Sequence, residues 1–154
     1  MTTRVLVPLD TSECSTAALE FALESYPGAK LIAVHVIDPG DIYGATGLET
    51  GTKTSLESGT ETMADYEQIR THRETQAEAV FEEARNRAAD ADVDLETEVR
   101  IGDVPRTILA AAADQDVDQI VLGSHGRTGA SRILLGSVAE TVARRSPVPV
   151  TIVR

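Results

Sequence analysis

The chain has 154 residues, of which 42% are hydrophobic and only 3% are aromatic. This length predicts one domain whose aliphatic core is large enough to fold without disulfides or metal staples. Acidic residues outnumber basic residues by 25 to 14, which gives a formal net charge of -11 at pH 7. Such an acidic surface excludes nucleic acid and anionic membranes as expected partners.

Composition also indicates the compartment. Lys30 and Lys53 are the only lysines, and an acidic, lysine-poor surface of halophilic type suits a salt-rich cytosol that screens self-repulsion. An ordinary acidic cytosolic protein is the alternative. A single cysteine, Cys14, excludes an internal disulfide and a cysteine zinc cluster. The opening MTTRVLVPLD is too polar for a signal peptide, and no apolar run suits a membrane helix, so we expect a soluble cytoplasmic protein.

The first part of the chain predicts a strand, a helix and a second strand. Residues 4–9 (RVLVPL) form a short apolar run, and helix-start residues follow at 10–12 (DTS). Helical spacing over residues 17–23 predicts an inward face made by Ala18, Phe21 and Ala22. Residues 30–37 (KLIAVHVI) are almost continuously apolar, which is typical of a parallel strand covered on both faces.

The next segment is less regular. Residues 40–62 are rich in Gly, Thr, Ser and Glu and show no period, which predicts a flexible excursion. It is either a lid over a site or a tolerated insertion. From residue 63 to about residue 89 the pattern predicts a long helix. The buried face of this helix is expected to contain Ala77, Val80, Phe81, Ala84 and Ala88.

The second half continues the alternation. Residues 95–101 (LETEVRI) alternate in polarity and predict a half-exposed or edge strand. Asp103 is expected to cap a helix that carries Pro105 in its first turn. The inward face of that helix should contain Ile108, Leu109 and Ala112. Residues 119–122 (QIVL) predict the next buried strand.

A last helix and strand complete the pattern. Val138 and Val142 lie on one face of a helix, and residues 148–153 (VPVTIV) predict a final strand. Alternating strands and helices imply parallel pairing with right-handed crossovers, so residues 1–154 are expected to form one α/β domain. Its sheet should be open and doubly wound, with ligands bound at the carboxyl ends of the strands where the strand order reverses.

The stretch GSHGRTGASRILLGS, residues 123–137, stands between a strand and a helix. It matches neither the Walker A loop nor the G-x-G-x-x-G pattern. Its chemistry nevertheless suits an anion, since glycines admit close approach of backbone N–H groups and adopt positive φ easily. Gly136 and Ser137 open a helix whose free N–H groups attract phosphate, and Arg127 and Arg132 can add positive charge.

Each of these residues also has an interpretation that requires no ligand. Ser137 and Glu140 have the spacing of a capping box, which would use the serine locally, although both roles can hold. Asp10 either meets ribose hydroxyls or a divalent cation, or caps the first helix. His125 is expected to be a surface loop residue and not a metal ligand. Cys14 is expected to be a small buried apolar group, with a reactive thiol as the alternative.

These motifs together resemble those of a known family. Gly123-x-x-Gly126-x9-Gly136-Ser137 resembles the motif of the ATP-binding branch of the universal stress protein family. VPLD at residues 7–10, HVID at 35–38 and GDVP at 102–105 resemble that family's first strand, second-strand ending and the turn before its third helix. The resemblance spans essentially the whole chain.

The resemblance implies a five-stranded parallel sheet with strand order 3-2-1-4-5, like that of the adenine nucleotide alpha hydrolases. It implies that the backbone at Val36 meets adenine, that Asp10 and Gly123 meet the ribose, and that the glycine motif and the start of the last helix meet the phosphates. ATP would be the cofactor, with Mg²⁺ contacting Asp10 at most indirectly. The residues expected to bind it are Pro8, Asp10, Val36, Leu122, Gly123, Gly126, Arg127, Gly136, Ser137 and Val138.

The resemblance also implies a homodimer in which residues 148–153 pair across a two-fold axis. A short apolar final strand supports this, because it is an uncovered edge unless something pairs with it. We expect an ATP-binding regulatory module of the stress response, with an unidentified protein partner and little or no turnover. Asp10 and His125 form no recognised catalytic arrangement. The alternatives are a slow ATPase or phosphotransferase, and a dimeric interaction protein that binds no nucleotide.

Overall fold

The computed structural model describes residues 2–40, 59–125 and 135–154, with side chains in its longest helix from residue 66 onward. Strands and helices alternate as predicted. Most of the excursion predicted at residues 40–62 lies outside the described residues, and its end, from residue 59, belongs to a helix. The elements in chain order are β1 (Arg4–Pro8), α1 (Glu13–Ser25), β2 (Lys30–Ile37), α2 (Gly59–Asp90), β3 (Asp94–Ile101), α3 (Val104–Asp114), β4 (Gln119–Gly123), α4 (Ser137–Arg145) and β5 (Val150–Val153).

All strand pairs are parallel, and the order across the sheet is β3-β2-β1-β4-β5, as expected. The direction of winding reverses at β1, which lies between β2 and β4. Pro8 is opposite Val34 of β2, and Leu6 is opposite Ile120 of β4. The carboxyl ends of these three strands therefore meet at one edge of the sheet, where doubly wound folds bind ligands.

The helices cover both faces of the sheet. α1 and α2 pack on one face around Phe81, and α3 and α4 pack on the other face around Ile108 and Val142. The inward face predicted for α2 is confirmed: Ala77, Phe81, Ala84 and Ala88 are buried, and Val80 packs against them. Within the described ranges, no helix combines the length and the apolar character needed to cross a membrane.

The prediction that Phe21 faces inward is wrong. Its side chain is 38% exposed, whereas the buried residues of α1 are Ser15, Ala18, Leu19, Ala22 and Leu23. These residues form one helical stripe, and position 21 lies outside it.

The start of α3 follows the predicted chemistry. Asp103 is the N-cap and accepts a hydrogen bond from the Arg106 N–H at 3.2 Å, and Pro105 lies in the first turn. Ile108 and Ala112 are buried on the inward face of this helix, and Leu109 packs beside them. A polar cap followed by an apolar face is therefore sufficient to define this helix from sequence.

The two edge strands differ in their boundaries from the predictions by small amounts. β3 pairs only with β2 and alternates in exposure, as expected for an edge strand. Hydrogen bonds from Arg100 to Asp114 and Glu98 raise the pKa of its guanidinium, although burial acts to lower it.

β5 begins at Val150, later than the predicted residue 148. The Ser146 hydroxyl donates to the Val148 carbonyl at 2.8 Å and accepts from the Val148 N–H at 3.1 Å, and this local turn precedes the strand.

Candidate functional site

The predicted nucleotide-binding residues that the structure describes lie at the carboxyl edge of the sheet. They come from the ends of β1, β2 and β4 and from the start of α4: Pro8, Asp10, Val36, Leu122, Gly123, Gly136, Ser137 and Val138. The Gly136 N–H donates to the Ser124 carbonyl at 2.7 Å, which holds the start of α4 against the end of β4. The remaining predicted residues, Gly126 and Arg127, lie outside the described residues, as does Arg132.

Asp10 lies in a rigid turn between β1 and α1. Its Oδ1 accepts from the Ser12 N–H at 2.7 Å, its N–H donates to Ser15 Oγ at 2.9 Å, and that hydroxyl donates back to the Asp10 carbonyl at 3.2 Å. The N-cap of α1 is Ser12, which accepts from the Ser15 N–H, so the alternative role of Asp10 as the cap is wrong. Among the described residues, nothing hydrogen-bonds to Asp10 Oδ2, which leaves one carboxylate oxygen as a free acceptor.

The start of α4 has no side-chain cap, so the predicted capping box is wrong. Gly136, with φ -64° and ψ 156°, is the N-cap, and Ser137 is the first helical residue. A hydroxyl at that position cannot reach back to the first free N–H groups, and Glu140 instead pairs with Arg144 one turn later. No acceptor in the described parts of the chain takes the N–H groups of Ser137 and Val138. Free donors and the positive end of the helix dipole therefore coincide there.

Two glycines of the motif are required by space and not by dihedral angle. A Cβ at Gly123 would lie 2.7 Å from the backbone carbonyl carbon of Cys14, and a Cβ at Gly136 would lie 2.7 Å from the Ser124 carbonyl oxygen. Neither glycine has a positive φ, so close approach of neighbouring backbone, and not left-handed conformation, is what requires glycine there. Glycine at these positions lets α1 and α4 approach the end of β4 closely.

A chain of polar contacts joins the end of β4 to the start of α1. Ser124 is buried, with Oγ 3.0 Å from His125 Nδ1 and 3.9 Å from Cys14 Sγ. Cys14 is half-buried, so the prediction that it is a small buried apolar group is wrong. In the described ranges, no group of three His, Cys, Asp or Glu side chains could hold a metal ion. These contacts fix the two element ends and build no metal centre.

The ladder between β1 and β2 stops one bond early, which the sequence did not predict. Lys30 N–H donates to the Thr3 carbonyl, and Leu9 N–H donates to the Val34 carbonyl, both at 2.8 Å. Even-numbered residues of β2 therefore direct their backbone groups toward β1. The next bond would join the Val36 N–H to the Leu9 carbonyl, but that carbonyl lies 2.8 Å from His35 Nδ1 instead. No other described group pairs with the Val36 N–H or carbonyl.

A signal for this contact exists in the sequence. His35 is the only ionisable side chain within the apolar run LIAVHVI. A polar group in such a run must have a hydrogen-bond partner, because an unpaired polar group in the interior is costly. Sequence alone could therefore identify His35 as bonded, but it could not identify the carbonyl that it meets.

Asp10 and Thr11 also border a separate cleft of about 290 Å³ between α1 and α2. Among the described residues that line it, the only cation is Arg87. Glu83, chiefly through a hydrogen bond, and Glu20 raise the pKa of this guanidinium, which already pairs with both carboxylates. The cleft thus offers a phosphate no unpaired cation, unlike the free amides at the start of α4.

The comparison with known proteins supplies the family. The sequence profile of Usp, the universal stress protein family, matches residues 1–154. The chain belongs to the universal stress protein family. It is 32% identical over 158 residues to the universal stress protein YxiE of Bacillus subtilis, with 100% of both chains covered. It is 29% identical over 159 residues to the universal stress protein MJ0577 of Methanocaldococcus jannaschii, with 98% of this chain and 94% of that one covered.

Solved structures agree with this assignment to the universal stress proteins. The structure of MJ0577 superposes with a TM-score of 0.79 at 26% identity, covering 99% of this chain and 96% of that chain. A universal stress protein solved in complex with cAMP superposes with a TM-score of 0.62, also at 26% identity and with the same coverage. The family fold is thus shared over the whole chain, and one relative binds an adenine nucleotide.

Proposed function

We propose that this universal stress protein binds ATP where β1 and β4 diverge, and that it acts as a regulatory module with little or no turnover of its own. One observation carries the proposal: the uncapped start of α4 and the free Oδ2 of Asp10 lie at the same edge of the sheet. Free amides suit phosphate, and a free carboxylate oxygen suits ribose hydroxyls. The relative that binds cAMP supports an adenine nucleotide as the ligand class.

The phosphates would lie against the N–H groups of Ser137 and Val138, with Gly136 close to them. The helix dipole adds favourable potential there, even in a chain of net charge -11. Gly126 and Arg127 are proposed to complete the phosphate site on the same motif. None of these contacts requires a side-chain cation on the described part of α4, since amide donors and the dipole suffice for an anion.

The nucleoside would lie across the ends of β1 and β2. Asp10 Oδ2 and the backbone at Gly123 are proposed to meet the ribose. The Val36 N–H and carbonyl point together into the gap beside β1, and a donor and an acceptor side by side match adenine N1 and N6. Pro8 and Leu122, at the ends of β1 and β4, would line the site.

Magnesium would arrive with the nucleotide. Asp10 is the only carboxylate among the described residues proposed for the site, and one half-engaged carboxylate is a poor resident metal site. Mg²⁺ keeps several waters and binds phosphate oxygens readily. When bound it would neutralise phosphate charge, while the chain's own part is to hold the phosphates through backbone donors.

Little or no turnover is proposed because, among the described side chains, none is placed as a base beside the proposed phosphates, and the available Oδ2 of Asp10 is assigned to the ribose. His125 Nδ1 bonds to Ser124, and Asp10 Oδ1 bonds to the Ser12 N–H. Phosphoryl transfer needs a base or a group that orients the attacking nucleophile. A slow ATPase remains the alternative function, and a test of phosphate release separates the two.

The experiment is a calorimetric titration of magnesium-ATP into protein freed of co-purified nucleotide. Salt near 1 M is suitable because the Debye length is then about 3 Å, which removes long-range repulsion from the acidic surface. We expect binding at one site per chain without steady-state phosphate release. No heat, together with no nucleotide carried through purification, would refute the proposal. Phosphate release that Asp10→Ala abolishes would favour the enzyme.

We further propose a homodimer through β5. Among the described strands β5 pairs only with β4, and its four residues are all half-buried. The Ile120 N–H donates to the Pro149 carbonyl and the Ser124 N–H to the Val153 carbonyl. Val150 and Ile152 therefore direct their N–H and C=O groups away from β4. A second copy would pair with these groups and cover the edge.

A further inference from the structure

The Val36 N–H, proposed to recognise adenine, has no partner among the described residues because the His35 side chain takes the carbonyl that would accept from it. At the end of β1, Leu9 is 5% exposed, so its carbonyl needs a hydrogen-bond partner. The parallel ladder would supply the Val36 N–H, but His35 lies at 2.8 Å and takes the carbonyl. A carbonyl can only accept, so Nδ1 carries the proton and donates it.

The imidazole of His35 is held in place from α2. The edge-to-face contact with Phe81 has ring centroids 6.4 Å apart and an interplanar angle of 90°. Phe81 is itself fixed, since it is buried in the core and the Arg85 guanidinium lies 6.0 Å from its ring centroid. A side chain held by this ring contact loses less entropy on forming its hydrogen bond, so it competes well with the Val36 N–H.

We propose that His35 is a positioning residue that ends the β1–β2 ladder early and thereby leaves the Val36 backbone free to select adenine. This inference rests on the proposed nucleotide site. Without the imidazole donor, the buried Leu9 carbonyl takes the Val36 N–H, which removes the donor to adenine N1. The Val36 carbonyl, which accepts from adenine N6, distinguishes adenine from a base with an oxygen at that position.

The test compares ATP with inosine triphosphate, whose base carries an oxygen in place of the adenine amino group and a hydrogen on N1. His35→Phe keeps a ring against Phe81 and removes the donor. His35→Asn places an amide N–H near the position of Nδ1 and removes the ring. We expect His35→Phe to reduce the ATP preference by about 3- to 10-fold, as the loss of one hydrogen bond predicts. His35→Asn should retain it within about twofold, although it loses more packing.

A control separates this role from a purely structural one. Val117→Ala removes buried side-chain volume just before β4, at the end of the sheet away from His35, so it should lower the melting temperature and leave the nucleotide preference unchanged. If all three variants lose preference in proportion to their loss of stability, His35 is structural and the inference is overturned. An unchanged preference in His35→Phe overturns it as well. If His35→Phe does not fold, His35→Leu, which also has no side-chain donor, replaces it.

A second readout needs no nucleotide and keeps the two proposals separable. Hydrogen exchange by NMR on the unliganded protein reports whether the Val36 amide is bonded. We expect slower exchange of this amide in His35→Phe than in the wild type, because the Leu9 carbonyl captures it. If the wild type binds neither triphosphate, the proposed function fails, and this measurement decides the inference: slower exchange supports it, and unchanged exchange overturns it.

Discussion

Replacing Ser137 with proline removes one backbone N–H from the start of α4 and little else. Ser137 is the first helical residue, and no described acceptor uses its N–H. Proline is favoured at this position, where its missing donor costs nothing and its fixed φ suits the helix. The preceding residue, Gly136, has the extended ψ of 156° that a residue before proline prefers. The fold should therefore tolerate Ser137→Pro.

The cost to nucleotide binding follows from the chemistry of the lost contact. A hydrogen bond from a backbone N–H to a charged phosphate contributes about 1.5–3 kcal/mol. Since about 1.4 kcal/mol is a factor of ten in affinity, Ser137→Pro should weaken ATP binding by roughly 10- to 150-fold. The control is Ser137→Ala, which removes the hydroxyl and keeps the N–H, and which should bind within about threefold of the wild type.

The assay is calorimetric titration of magnesium-ATP into both variants, beside thermal unfolding of each. Equal affinity in Ser137→Pro and Ser137→Ala, with both folded, would refute the idea that α4 amides hold the phosphates. Equal loss in both would assign the contact to the hydroxyl. A large fall in melting temperature for Ser137→Pro alone would show that its N–H is used within the fold.

Three further outcomes are expected. Gly123→Ala should lower the free energy of unfolding in urea by about 1–3 kcal/mol, because the new Cβ would lie 2.7 Å from backbone. The control Gly28→Ala has no atom within 4 Å of its Cβ and should change the free energy of unfolding by about 0.5 kcal/mol or less. Equal effects would contradict the packing argument. Ile152→Pro removes an N–H of β5 that points away from β4, so it should dissociate the dimer in sedimentation experiments. The control Ile152→Ala keeps this N–H and should remain dimeric. A dimer that stays intact in both variants would exclude pairing through this edge. Phe81→Ala should lower the free energy of unfolding by about 3–5 kcal/mol. Phe21→Ala removes a ring that is 38% exposed and should lower it by less than about 1.5 kcal/mol. Similar losses for both variants in chemical denaturation would show that Phe21 is a core residue in solution.

Local pattern was sufficient for the elements and for much of the core. Apolar runs marked the strands, and the spacing of Ala77, Phe81 and Ala84 marked the inward face of α2, because burial imposes periods that sequence records directly. Phe21 was misplaced because a hydrophobic residue next to such a stripe does not itself show where the buried stripe ends, and single exposed hydrophobic residues are common. The strand order followed only from the resemblance to a family, since pairing partners far apart in the chain leave no local pattern.

The amino-acid sequence by itself determined the α/β class and the Asp103 cap of α3, and it predicted the edge of the sheet where a ligand would bind. Tertiary structure alone decided that Gly123 and Gly136 serve close backbone approach, that no described acceptor takes the Ser137 amide, and that His35 takes the carbonyl that Val36 would otherwise bind. The physical reason is that a residue's own preferences act within a few positions of the chain. Competition for a hydrogen bond or for space depends on which distant backbone lies within about 3 Å.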